Sequence, residues 1–299
     1  MLILNELVPI EQIKVIILRD EIGHLVNIDR DERGTVNTNY SIEVEREGKR
    51  KKYFFRRYKQ SIKKAEIEFE HSIIQHLFSK GITFTARLFA TREGNSYLIK
   101  PDPGATEPSF SALFEYLPGE DLYTWINPCC TRAEFRSSAA VLAQFHRAVA
   151  DLKPADSRVE PKIVEPGNLK FAKETVVGLL DFDWSKIEIR AFDCALALWY
   201  FFTDCDAKND GRFRLDGASE FLSVYQANLG EGEGLLPLSE SEVATLPVLF
   251  KASNFYILSW ALEDNLHKPV DRDEYLIYLE HNICSARGLL EADFSNLQL

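Results

Sequence analysis

Asn168-Leu-Lys-Phe-Ala-Lys-Glu-Thr-Val-Val-Gly-Leu-Leu-Asp-Phe-Asp-Trp-Ser-Lys-Ile-Glu-Ile-Arg-Ala-Phe-Asp193 is the stretch on which the fold turns. Within it, Val176 to Leu180 is an unbroken apolar run that ends in Asp181 and Asp183, on either side of Phe182. A run that short and that apolar predicts a buried strand. A carboxylate at the end of such a strand is costly unless a cation or hydrogen-bond donors compensate it. Asn168, thirteen residues upstream of Asp181, can supply a second oxygen ligand. Oxygen ligands of this kind suit Mg2+ held together with substrate phosphates. The stretch therefore reads as a strand carrying a metal site, with Asn168 and Asp181 as its ligands.

Working outward, the 299 residues leave room for two lobes, and 45% apolar content allows a sizeable core. The formal charge of −11 argues against non-specific binding to nucleic acid or to an anionic membrane. A local basic site with Mg2+ can still hold ATP on an acidic chain. The five cysteines are odd in number and include no CxxC pair, which predicts reduced intracellular thiols rather than a disulfide framework or a zinc site. Glu6 and Glu11 interrupt the N-terminal apolar residues and no basic n-region precedes them, so no signal peptide is expected. No apolar run reaches the roughly 18 residues of a membrane span. The cytoplasm is the expected location, and the pattern leaves the oligomeric state open.

The first region reads as β-strands around one helix. Tyr40, Ile42 and Val44 alternate with polar residues, a polar turn surrounds Gly48, and Lys52 to Tyr58 completes a hairpin. Arg30 to Asn39 reads as a small polar loop between two strands. A helix is predicted from about Ser61 to Lys80, with Ile62, Phe69, Ile73 and Leu77 as its apolar stripe and Gly81 as its C′ stop. Further strands are predicted near 86–91, 96–100 and 111–117. The remainder reads as helical. Thr131-x-x-Glu134 and Ser239-x-x-Glu242 are capping boxes that open helices. The segments 192–202, 217–229 and 273–290 read as further helices, and Pro247 marks a kink or restart in the helix that Ser239 opens. The fold class is thus α+β, with a β-rich lobe over 1–117 and a helical lobe over 118–299.

Four features are candidates for chemistry. Arg56 lies on a basic strand and by itself reads as a solvated residue. Glu70 changes that, because it borders the buried stripe of the following helix and wants a cation. An Arg56–Glu70 pair across strand and helix is predicted, with Glu66 as the competing partner. Gly34, in its polar loop, can present backbone N–H groups to a phosphate, although such a loop is more often a plain turn. His146, on the apolar side of its helix, reads as a hydrogen-bonded core histidine rather than a catalytic one. No GxxxxGK[ST] string occurs, which excludes a P-loop NTPase.

Beyond these residue-level readings, the strings Gly34-Thr-Val-Asn37-Thr-Asn-Tyr40, Tyr53-Phe-Phe-Arg56-Arg-Tyr58, Leu113-Phe-Glu115-Tyr-Leu117-Pro-Gly119, Leu142-Ala-Gln-Phe-His146, Pro166-Gly-Asn168 and Leu180-Asp-Phe-Asp183 resemble the aminoglycoside phosphotransferase/choline kinase superfamily. Within it they are similar to the branch of type II homoserine kinases. The resemblance runs from about Ile22 to the C-terminal helices. It implies a bilobal, protein-kinase-like fold that binds ATP and Mg2+ and phosphorylates a hydroxyl of a small-molecule acceptor. Carried over residue by residue, it implies that Gly34 and Asn37 lie in the loop over the phosphates. Arg56 then takes the place of the phosphate-contacting cation, with Glu70 its helix partner. Glu115 to Leu117 form the hinge at the adenine, Asn168 and Asp181 hold Mg2+, and Asp193 is a buried structural acid.

One part of the family pattern is absent. The family's catalytic loop reads His-Gly-Asp-x-x-x-x-Asn, and counting back from Asn168 the position of the catalytic Asp holds Ile163. Only Arg147 to Gly167 separates His146 from Asn168, where the family carries several helical segments. The chain therefore reads as a family member with an internal deletion and a shortened helical lobe. Glu165, three residues before Asn168 rather than five, is not expected to replace the base. Three functions stay open: an ATP-dependent kinase of a small hydroxyl compound, a pseudokinase that binds nucleotide or a partner, and a truncated product without function.

Overall fold

The computed structural model describes residues 22–31, 37–91, 93–101, 108–123, 130–154, 169–180, 182, 189–204, 209–230, 235–267 and 272–297. The chain divides into two compact units, Met1–Leu117 with Pro154–Asp156, and Pro118–Lys153 with Ser157–Leu299.

Among the described residues, the first unit is a six-stranded antiparallel sheet with one helix. Its strands are β1 (His24–Asp31), β2 (Thr38–Arg46), β3 (Lys49–Arg57), β4 (Leu88–Phe89), β5 (Leu98–Lys100) and β6 (Ser109–Glu115), ordered β1-β2-β3-β6-β4 with β5 also paired to β6. The β2–β3 hairpin follows from alternation and from its turn. Glu47 and Gly48 both take positive φ, 52° and 71°, as a two-residue hairpin turn matched to strand twist requires. The strand begins at Lys49, so the basic run Lys49 to Lys52 is exposed strand rather than turn. The polar loop before the hairpin is also shorter than its composition suggests, because Arg30 pairs with Tyr40 and Asp31 with Asn39. Ladder hydrogen bonds override the local turn preference of those residues.

Period-2 geometry sends alternate side chains to opposite faces of the sheet. Tyr40, Ile42, Val44, Tyr53, Phe55 and Leu113 build one buried cluster. On β3 the intervening residues Phe54 and Arg56 belong to the other face. Helix α1 (Lys64–Ser79) buries Ile67, Phe69, Ile73, Ile74 and Leu77, and with them Glu70 and His71. It ends where Gly81, at φ 76°, reverses the chain. The Ile82 amide donates to Leu77 O and the Gly81 amide to Phe78 O, at 3.1 and 3.0 Å, so two of the last carbonyls are satisfied.

Among the described residues, the second unit is a two-stranded hairpin, β7 (Leu169–Ala172) and β8 (Thr175–Leu179), with five α-helices: α2 (Arg132–Val149), α3 (Arg190–Phe202), α4 (Leu215–Ala227), α5 (Glu240–His267) and α6 (Arg272–Glu291). Both predicted capping boxes form. The Glu134 carboxylate accepts from the Thr131 amide and the Glu242 carboxylate from the Ser239 amide, at 2.6 and 2.8 Å. Helix α5 runs through Pro247 without restarting. Trp199, Phe202, Phe221, Tyr225 and Phe250 are among the largest fully buried side chains and belong to this unit's core.

Candidate functional site

In the first unit the predicted pair is formed. Arg56 Nη1 donates to Glu70 Oε1 at 3.2 Å, with the two side chains only 10% and 2% exposed. Glu66, the competing partner, instead closes the start of α1 by accepting from the Lys63 amide at 3.0 Å. Arg56 is held from the sheet side as well. Its register partner on β6 is Ala112, small enough to leave room for a guanidinium. The rings of Phe54, Tyr58 and Phe114 lie 5.8–5.9 Å from its Cζ, a distance at which each ring face attracts a cation. An ion pair this dry is costly to form and strongly destabilising to break one side at a time.

Sequence reasoning missed the groups that complete this cluster. Tyr58 Oη lies 2.9 Å from Glu70 Oε2 and 2.9 Å from His71 Nε2, and His71 Nδ1 lies 2.7 Å from Ser96 Oγ. Burial, reinforced by the Arg56 charge, pushes the His71 imidazolium down to a pKa of about 3, so the ring is neutral. A signal was available: Tyr58 is two residues beyond Arg56, just past the end of β3, and His71 follows Glu70 on the buried side of the helix.

The other predicted residues of this unit are placed as follows. Gly34 lies outside the described residues. Asn37 is buried, and its Oδ1 accepts from the Lys59 amide at 3.1 Å, tying the entry of β2 to the chain beyond β3. Glu115 ends β6, pairs in register with Tyr53, and donates its amide to Arg87 O at 2.8 Å. Leu117 is buried.

In the second unit, Asn168, Asp181, Asp183, Ile163 and Glu165 lie outside the described residues. The frame next to them is described. Leu169 is paired with Leu179, so β7 starts beside the end of β8. Backbone and side-chain contacts hold this hairpin. The segment after Leu117 adds to it, with reciprocal amide–carbonyl bonds between Glu120 and Phe171 at 2.9 and 3.1 Å. Gly119, at φ 103°, permits that approach, since a Cβ there would meet Phe171 O at 2.8 Å and Val177 at 2.7 Å. Lys170 Nζ binds Asp121 at 3.0 and 3.2 Å, and the Val176 amide donates to Ser137 Oγ of α2 at 2.8 Å. Phe182, between the two acids, is buried with its ring 5.9 Å from that of Phe145. The strand β7 was missed in the sequence because its four residues are too few to show alternation.

His146 is a core histidine, as its position on the helix predicts. Its Nδ1 lies 2.7 Å from Tyr225 Oη and its Nε2 3.2 Å from Asp193 Oδ2. Asp193 serves that structural pairing but is a quarter exposed rather than buried. Among the described residues no group of three or more His, Cys, Asp or Glu side chains could hold a metal ion, and no helix is long and apolar enough to cross a membrane.

Residues 28–162 match the family model described as "Phosphotransferase enzyme family". A homoserine kinase of Afipia carboxidovorans is 24% identical over 293 residues, covering 83% of this chain and 82% of that protein. A homoserine kinase of Parvibaculum lavamentivorans is 22% identical over 328 residues, covering 91% of this chain and 93% of that protein. Among solved structures, an amicoumacin kinase in complex with AMP-PNP, Ca2+ and its ligand matches with a TM-score of 0.69 at 14% identity, covering 97% of this chain and all of that one. A microcompartment-associated aminopropanol kinase matches at 0.64 and 14% identity, covering 93% and 95%. The fold is kinase-like α+β. These likenesses support the aminoglycoside phosphotransferase/choline kinase superfamily and, within it, the homoserine kinase-like branch.

Proposed function

We propose that this protein binds ATP·Mg2+ through a retained nucleotide site while its phosphoryl transfer to a small hydroxyl compound is largely lost. The observation that carries the first half is the buried Arg56–Glu70 pair, set between β3 and α1 and wrapped in aromatic rings. A phosphotransferase of this fold works by positioning and by electrostatic stabilisation of the phosphates. A guanidinium has five N–H donors in a planar fork, a geometry that suits carboxylate and phosphate oxygens alike. Asn168 and Asp181 supply the amide oxygen and the carboxylate that a hard cation prefers, and they adjoin the two strand ends that Leu169 and Leu179 bring together. Bound there, Mg2+ would neutralise charge on the transferring phosphates. Glu115 to Leu117, at the end of β6, are the segment assigned to the adenine.

The second half rests on Ile163. An alkyl side chain at the place of the base cannot take the proton of an acceptor hydroxyl, and a positioned base contributes roughly 10²–10⁴-fold. An internal deletion around that position is part of the same reading. The alignment to the Parvibaculum lavamentivorans homoserine kinase is 328 positions long, longer than this 299-residue chain, so stretches of that relative have no counterpart here. The competing reading is an active kinase of a small hydroxyl compound, favoured by the names of the curated relatives. ADP release in the presence of homoserine, amino alcohols and aminoglycosides separates the two. Turnover on any of them at ordinary enzyme rates would overturn the lost-transfer reading.

A further inference from the structure

Resting on the nucleotide-site reading above, we propose that Tyr58, His71 and Ser96 are positioning residues, a one-way hydrogen-bond chain that orients Glu70 and through it aims Arg56 at a nucleotide phosphate.

The direction of the chain follows from donor and acceptor chemistry alone. The Glu70 carboxylate can only accept, so Tyr58 Oη, 2.9 Å from Oε2, donates to it. The Tyr58 hydrogen is then spent, and its oxygen can only accept from His71 Nε2 at 2.9 Å, which places the imidazole proton on Nε2. A neutral imidazole with Nε2–H has a bare Nδ1, so the Ser96 hydroxyl donates to it at 2.7 Å. One proton assignment satisfies these three contacts together, and it needs the neutral ring that burial enforces. The chain ties the end of β3, helix α1 and the segment before β5 to one carboxylate. Glu70 then has an oxygen fixed on each side, Oε1 by Arg56 and Oε2 by Tyr58. A carboxylate held at both oxygens cannot rotate, so the guanidinium it binds keeps one orientation.

A purely structural role for the three residues would lower stability without distinguishing one ligand from another. The positioning role predicts selectivity for phosphate. Tyr58→Phe removes only the hydroxyl and keeps the ring beside Arg56. It should weaken ATP·Mg2+ and ADP binding by about 5- to 10-fold, the size of one ordinary lost hydrogen bond, and leave adenosine binding unchanged. His71→Gln retains a donor near the Nε2 position and an acceptor, so it should keep most of the ATP affinity, whereas His71→Leu should lose it as Tyr58→Phe does. Titration of the purified full chain with ATP, ADP and adenosine by calorimetry reads all of these, and Ser96→Ala gives the same comparison at a partly exposed position if Tyr58→Phe does not fold. Equal ATP affinity in wild type and Tyr58→Phe overturns the inference and leaves the nucleotide site standing. A loss shared equally by adenosine makes the chain structural only and also overturns it. Absence of ATP binding by the wild type removes the nucleotide reading, and this inference falls with it.

Discussion

Breaking the Arg56–Glu70 pair from one side should cost far more than removing both charges. In Arg56→Met the apolar replacement fills most of the volume among Phe54, Tyr58 and Phe114 but leaves Glu70, 1% exposed, without its cation. Loss of one partner from a buried pair costs about 3–5 kcal/mol. That is a large share of the roughly 5–15 kcal/mol that holds a native protein together. Adding Glu70→Gln removes the stranded charge while the amide oxygen still accepts from Tyr58. The double variant should therefore recover more than half of the loss, a coupling of about 2 kcal/mol or more of the kind that contacting residues show. Urea unfolding of the wild type, both single variants and the double, with midpoints compared at constant slope, gives the cycle. An Arg56→Met loss within about 1 kcal/mol would refute the claim that this pair is dry and mutually dependent. So would a double variant whose loss equals the sum of the singles.

Three further outcomes are expected. His71 stays neutral in the folded protein down to about pH 3, whereas its ordinary value is 6.5, so below that value the unfolded chain takes up a proton that the folded chain refuses. Its contribution is therefore full above pH 6.5 and is lost as the pH falls, at up to about 1.4 kcal/mol per pH unit; His71→Gln should flatten the stability profile between pH 6.5 and 4.5. The hydrogen bonds from Arg190 hold the Glu242 carboxyl down at about 2, against an ordinary value of 4.5. That stabilisation is present above pH 4.5 and lost toward pH 2, and Glu242→Gln should remove this part of the acid sensitivity in a thermal melt. Gly119→Ala should destabilise by more than the roughly 1 kcal/mol of an ordinary backbone substitution, because φ 103° strains any Cβ and the approach to Phe171 O leaves no space for one; a melting temperature equal to wild type would contradict the tight contact.

The parts of the molecule legible in the sequence were those with repeated or reciprocal signals. Thr131 with Glu134 and Ser239 with Glu242 each carry both halves of a capping box, and both helices start where the pairs say. Glu70 could be paired with Arg56 because a charge beside an apolar stripe is a physical demand, and the nearest preceding strand supplies the cation. The contacts that close over longer distances were not legible. Ser96 is 25 residues from His71, and nothing in either local pattern joins them. Strand β7 is too short to alternate and exists because Glu120 and β8 satisfy its backbone on both sides. Arg30 and Asp31 look like loop residues and are strand residues, since ladder pairing to β2 outweighs their own preference.

The central claim is that the nucleotide site has outlived the chemistry it once served, and a thermal melt with ATP and Mg2+ tests it most directly. A ligand that binds only the folded state stabilises it by RT ln(1 + [L]/Kd), about 2.7 kcal/mol at a hundredfold excess over Kd. Millimolar ATP with Mg2+ should raise the melting temperature of the wild type by several degrees, and Asp181→Ala should abolish the Mg2+-dependent part of the rise. No shift at millimolar ATP would contradict the retained site and leave the chain as a kinase-like fold without its ligand.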